Sequence, residues 1–141
     1  MTAIDVRGLR GRKALVVDDN PVNRLLLQHL LVREEMFVQL ACDGEAAVRQ
    51  AEAEAFDIVL MDVAMPVMDG RQATRAIRAL AVTSPAGERF GPSALPIIAV
   101  TANTAQDEKA LCLAAGMNAY VTKPIDRLAL LATMARLLVP G

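Results

Sequence analysis

The sequence predicts an α/β domain on a parallel five-stranded sheet, and three observations predict it. Short β-branched or aliphatic runs alternate with longer stretches of helical pattern, which is the signature of parallel strands joined by crossover helices. The short runs are apolar almost throughout, as strands covered on both faces should be. A chain of 141 residues, 54% hydrophobic, is the right size for one domain with a core that needs no disulfide or structural metal.

In chain order, strands are predicted over residues 14–17 (ALVV), 37–40 (FVQL), 58–61 (IVLM), 97–100 (IIAV) and 119–121 (AYV). Helices are predicted over residues 22–33, 45–55, 71–80, 106–115 and 126–138. The first carries Val22, Leu25, Leu26, Leu27, Leu30, Leu31 and Val32, more apolar circumference than one sheet-facing stripe requires, so part of it is expected at the surface. In the second, Glu45, Arg49, Glu52 and Glu54 read as a solvated face. Gly116 is placed to end the fourth helix and Asp126 to cap the start of the fifth. Residues 82–95, with Pro85, Gly87, Gly91 and Pro92, read as a surface loop of unusual length.

Fifteen Lys and Arg against 16 Asp and Glu, with no basic run, argue against a nucleic-acid or anionic-membrane partner. No apolar stretch reaches the roughly 18 residues of a membrane span, and the first residues lack a signal-peptide core. A cytoplasmic protein is therefore expected. Cys42 and Cys112 are far apart, without metal-ligand or redox spacing, and read as reduced packing residues. His29, alone in an apolar helix, reads as a packing or surface residue, and Met65 and Met68 as local packing around Pro66.

Ligands of open parallel sheets sit beyond the carboxyl ends of the strands. There the chain places Asp18 and Asp19 after the first strand, Asp62 after the third, Thr101 after the fourth, and Lys123 and Pro124 after the fifth. Each of these types is common in turns, but their coincidence at four of five strand ends points to a site. Clustered carboxylates repel and call for a cation. Mg²⁺ suits them, because it takes oxygen ligands from one or two carboxylates together with phosphate. Asp19 and Asp62 are the expected direct ligands, with Asp18 acting through a water. Asp62 is the candidate nucleophile for phosphoryl transfer. Lys123, the Thr101 hydroxyl and the metal would each take a phosphoryl oxygen, and the small Ala102 leaves the approach open.

These residues stand in VVDDNPVNR at 16–24, MDVAMPVMDG at 61–70, IIAVTAN at 97–103 and AAGMNAYVTKPI at 114–125. Together they make the chain strongly resemble receiver domains of two-component response regulators and hybrid histidine kinases. The resemblance runs from about residue 13 to 138. It implies a doubly wound fold of strand order 2-1-3-4-5 with helices on both faces, and an organisation of residues 1–12 as N-terminal extension and 13–141 as receiver. It also implies Asp62 as phosphoacceptor from a histidine kinase or histidine phosphotransfer protein, with the Ala64 carbonyl as a further Mg²⁺ ligand. Tyr120 matches the family's aromatic rotamer switch, and Lys123-Pro124 its cis peptide. Leu26, Pro124 and Ile125 match its partner-docking surface. Asn20 and Asn23, with the TAN and AAGMNAY segments, look most like hybrid-kinase receivers. The resemblance leaves a stand-alone regulator or an excised receiver, without an output domain.

One departure bears on lifetime. Ala64 has no polar side chain to orient a hydrolytic water, and Asn103 could do so only weakly, so a phosphoryl group is not expected to turn over at the family's fast end. Two enzyme-like or cofactor-binding readings compete. A haloacid-dehalogenase-type phosphatase would need a second acid two residues after its first-strand nucleophile. An FMN module would need a phosphate-cradling loop, and neither feature is present. A degenerate receiver used only as a docking scaffold is the standing alternative: the presence of all five reactive residues argues against it, although the site would still be silent if no partner kinase delivered phosphate.

Overall fold

The computed structural model describes residues 5–103 and 105–138. A 3₁₀ turn at Arg7–Leu9 precedes β1 (Lys13–Val17), α1 (Pro21–Val32), β2 (Phe37–Ala41), α2 (Gly44–Ala53) and β3 (Ile58–Asp62). Then come α3 (Gly70–Thr83), a 3₁₀ turn at Gly87–Phe90, β4 (Ile97–Thr101), α4 (Gln106–Ala115), β5 (Ala119–Thr122) and α5 (Arg127–Leu138). All four strand pairings are parallel, in the order β2-β1-β3-β4-β5. The five expected strands and five helices are all present, with ends shifted by a few residues at most.

Alternation along each strand divides the core into two layers. Leu15, Val17, Val59, Met61, Ile97 and Ala99 face Ala47, Ile77 and Leu80 of α2 and α3. Their neighbours Ala14, Val16, Leu60, Ile98 and Val100 face Leu27 and Leu31 of α1 and Leu130 and Met134 of α5. Because β3 and β4 are buried on both faces, their residues are apolar without interruption until the last position, where Asp62 and Thr101 end their strands, and β1 is buried and apolar from Ala14 to Val17.

Local signals set the helix ends. The Asn20 side chain accepts from the Val22 and Asn23 N–H groups ahead of α1, where Pro21 occupies the first helical position. Asp69 and Gln72 form a reciprocal capping box at α3. Gly116 ends α4 at φ +108°, with Met117 N–H returning to Cys112 O, and Asp126 Oδ1 accepts from Leu128 N–H at the start of α5.

Three expectations need correction. The segment read as a long surface loop is partly regular and partly buried: α3 continues to Thr83, and Phe90 and Leu95 are 1% and 2% exposed. Cys42 is exposed, because β2 ends one residue before it, whereas Cys112 is buried. Glu54 lies beyond α2 and pairs with Lys13 and Gln39 rather than extending a solvated face. In addition Leu9, ahead of β1, is fully buried in the layer beneath α1 and α5.

Candidate functional site

The parallel strands deliver their last residues to one edge. In the register, Asp62 lies beside Val100 of β4, and Thr101 beside Thr122 of β5. Asp18, Asp19 and Asp62 converge there, with one carboxylate oxygen from each lying within 4.8 Å of the others. Asp18 and Asp62 are buried and Asp19 is exposed, so the cluster opens to solvent on the Asp19 side. Gly70 lets α3 start tight against β3: a Cβ there would meet Asp62 O at 2.3 Å, a distance no side chain could relieve because the obstacle is backbone.

Lys123 supplies the positive charge. Its ammonium donates to Asp62 Oδ1 at 3.1 Å and lies 3.6 Å from Asp18 Oδ2, and the Lys123-Pro124 peptide is cis. Burial nevertheless pushes the Asp62 carboxyl up to about 6. The Lys123 hydrogen bond opposes the rise and the Asp18 charge adds to it. Asp18 Oδ1 accepts from Asn20 N–H at 2.9 Å, while its buried Oδ2 has no hydrogen-bond partner among the described residues. An orphaned buried carboxylate oxygen beside two further carboxylates is the donor set of a hard divalent cation, and Mg²⁺ fits it.

The other predicted residues surround this core. Thr101 Oγ1 accepts from Asn103 N–H at 3.0 Å, so the hydroxyl is engaged with its own loop. Ala64, Thr101, Ala102 and Asn103 line an open cleft of about 550 Å³. Leu26, Pro124 and Ile125 line a smaller groove of about 100 Å³ that reaches Asp18 and Lys123. On α1, Val22, Leu25 and Val32 are exposed together with the groove-lining Leu26. Tyr120 is 36% exposed, with its ring under the Lys109 ammonium. Two polar contacts were not anticipated: Arg24 Nη1 donates to Asp18 O at 2.7 Å, and Lys109 caps Tyr120. The first could have been sought from Arg24 facing one turn back toward the strand end; the second needs the packing of α4 on β5.

The chain matches the family described as response regulator receiver domain over residues 14–135. It belongs to that family. It is 50% identical over 119 residues to the sensor protein GacS of Pseudomonas syringae pv. syringae, a match covering 83% of this chain and 12% of GacS. The chain thus spans about an eighth of the length of this curated relative. Among solved structures it is similar to the receiver domain of the sensor histidine kinase PA1611 from Pseudomonas aeruginosa PAO1, which holds a magnesium ion in its active-site cleft. That match has TM-score 0.78 and 42% identity, and covers 92% of this chain and 99% of the other. It is also similar to a chain of the co-crystal structure of the Saccharomyces cerevisiae phosphotransfer protein Ypd1 with the receiver domain of Ssk1. There the TM-score is 0.81 and the identity 28%, over 92% of this chain and 90% of that one. Receiver domains of this family are phosphoacceptor switches of phosphorelay systems, and they work with histidine kinases or phosphotransfer proteins. No helix among the described residues is long and apolar enough to cross a membrane.

Proposed function

We propose that Asp62 accepts a phosphoryl group from a partner phosphohistidine, and that the domain's surface changes in response. The convergence of Asp18, Asp19 and Asp62 on one strand-end edge, with Lys123 bonded to Asp62, carries this reading. Asp19, Asp62 and the Ala64 carbonyl would hold Mg²⁺, with Asp18 acting through a water, as the magnesium in the PA1611 cleft supports. When bound, Mg²⁺ supplies neutralisation of carboxylate and phosphoryl charge.

In the transfer, an Asp62 carboxylate oxygen forms a bond to phosphorus as the phosphorus–nitrogen bond of the phosphohistidine breaks. The electron pair leaves on the imidazole, which departs neutral because its other nitrogen carries a proton. Lys123 neutralises one developing phosphoryl oxygen, and the Thr101 hydroxyl donates to another after leaving Asn103. Tyr120 turns inward as Thr101 moves, and Ala102 keeps the approach clear. Water later cleaves the acyl phosphate, so the domain is a self-limited switch.

Leu26, Pro124 and Ile125 are the proposed docking residues for a histidine kinase or phosphotransfer helix, consistent with the exposed apolar side of α1. The receiver unit spans residues 13–141, with 1–12 as an extension whose Leu9 is part of the core. Hybrid-kinase kinship is the favoured context, given the relatives matched, and a cytoplasmic setting without nucleic-acid contact suits the charge balance.

The test is intact mass after incubation with Mg²⁺ and acetyl phosphate. One added phosphoryl group, Mg²⁺-dependent and absent in Asp62→Asn, is expected. No addition, under conditions that label a competent receiver, would leave only a docking scaffold.

A further inference from the structure

We propose that Lys109 on α4 is a positioning residue for Tyr120: its ammonium holds the ring outward and so biases the domain toward its unphosphorylated arrangement. The inference rests on the reading of Tyr120 as the switch residue.

Lys109 Nζ lies 4.6 Å from the centroid of the Tyr120 ring, within the range where a cation is attracted to the electron-rich face of an aromatic. Tyr120 sits on the edge strand β5, paired only with Ala99 of β4, and keeps 36% of its surface exposed. Lys109 Nζ is stationed over the ring in its exposed position, so a ring that turns toward Thr101 would move away from it. The contact therefore exists in one arrangement and is lost in the other, which is what a residue must do to shift an equilibrium.

The contact gains weight from how lightly α4 is held. Of its ten residues only Cys112 and Ala115 are buried, and Ala105 at its N-cap provides no side-chain hydrogen bond. Leu111 and Leu113 are left exposed. A helix with so small a buried face responds to a single additional tether. Thr101 Oγ1 accepts from Asn103 N–H, so the exposed ring and a hydroxyl engaged by its own loop occur together in this structure. If labelling proceeds through the inward arrangement, its rate scales with the fraction of the domain in that arrangement, so whatever favours the outward ring slows phosphorylation by up to the same factor. An exposed cation–aromatic contact corresponds to about a two- to fivefold bias.

Tyr120 is the single tyrosine, and the chain has no tryptophan, so tyrosine emission and its quenching by neutral acrylamide report this ring alone. The experiment compares wild type with Lys109→Met, which keeps an apolar stem without the charge, and Lys109→Arg, which keeps a cation. Each is measured for acrylamide quenching and for the rate of labelling by acetyl phosphate with Mg²⁺. Lys109→Met is expected to shield Tyr120 and to label about two- to fivefold faster, and Lys109→Arg to restore both toward wild type. In a Tyr120→Ala background, Lys109→Met should leave the labelling rate unchanged.

Lys109→Met without either effect, or with equal acceleration when Tyr120 is absent, would overturn the proposal. The wild-type arm separates this from the underlying reading. Phosphorylation of wild type should itself shield Tyr120. If it does while Lys109→Met does nothing, the switch stands and the Lys109 role falls. If Asp62 is labelled and Tyr120 does not respond, the switch reading falls and takes the proposal with it.

Discussion

The Lys123 ammonium, just past β5 and two strands from β3, donates to Asp62 Oδ1 at 3.1 Å and lies 3.6 Å from Asp18 Oδ2, which has no hydrogen-bond partner among the described residues. The pair joins the nucleophile to the group that would neutralise the oxygens it acquires. Preorganised charge of this kind typically contributes about 10²- to 10³-fold to rate. Lys123→Ala should therefore slow labelling by acetyl phosphate at saturating Mg²⁺ by about that factor, while Lys123→Arg, with a planar head in place of a compact one, should recover only part. Labelling of Lys123→Ala within about threefold of wild type would remove Lys123 from the transfer step.

The raised Asp62 carboxyl has a consequence for the metal-free protein. Its folded value of about 6 exceeds the ordinary 3.8, so between these values the native state binds more protons than the unfolded chain. Stability therefore falls as pH rises through that window, and the loss persists above it. A displacement of this size corresponds to at most about 3 kcal/mol. In the presence of chelator at pH 7, Asp62→Asn should melt above wild type, and the gap should close below about pH 4. Adding Mg²⁺ at pH 7 should raise the wild-type melting temperature more than that of Asp62→Asn. A chelator-treated wild type as stable as Asp62→Asn at pH 7 would refute the account.

What was legible in the sequence follows from what local rules control. Strand burial on both faces makes runs such as IVLM and IIAV unmistakable, and the polar residues in the one or two positions after such runs mark the sheet edge, so Asp18, Asp19, Asp62, Thr101 and Lys123 could be gathered from the sequence. Residues 82–95 are less loop-like than their composition suggests, because Pro and Gly signal irregular backbone but say nothing of burial. Phe90 and Leu95 are drawn inside by Arg78, a partner from a neighbouring helix. The lack of metal or redox spacing says nothing about whether Cys42 is covered, and β2 ends at Ala41 and leaves it outside. The Lys109–Tyr120 contact depends on the crossing of α4 over β5, which no spacing rule encodes.

Lifetime of the phosphoryl group should depend on the wall of the cleft beside Asp62. Ala64 and Asn103 line that cleft on opposite loops, and Ala64 brings no side-chain group that could orient an attacking water. Ala64→Asn is expected to speed loss of the Asp62 phosphoryl group severalfold, since general positioning of a nucleophile is worth this much and more. The measurement is decay of the phosphorylated mass after removal of acetyl phosphate. A decay rate equal to wild type would show that the water is oriented from elsewhere.

Arg78 presents the opposite kind of dependence, on stability without chemistry. Its guanidinium donates to the carbonyls of Gly116, Phe90 and Leu95 and to Asn118 Oδ1, all within 3.0 Å. Asn118 in turn accepts from Ile97 N–H and donates to Pro92 O. One side chain thereby fastens the segment before β4 and the turn before β5 to α3, at the end of the sheet away from Asp62. Burial lowers its pKa to about 10, still far enough above neutrality to keep the charge. Arg78→Met retains the stem but orphans several buried acceptors, which should cost about 2–4 kcal/mol. Arg78→Lys, lacking the planar fork, should recover less than half of that. The urea midpoint measures the loss. Labelling of Asp62 at a temperature where the variant remains folded should match wild type, because nothing in this network touches the carboxylate cluster. A slowed reaction in the folded variant would mean that the segment before β4 transmits to Thr101 at its far end.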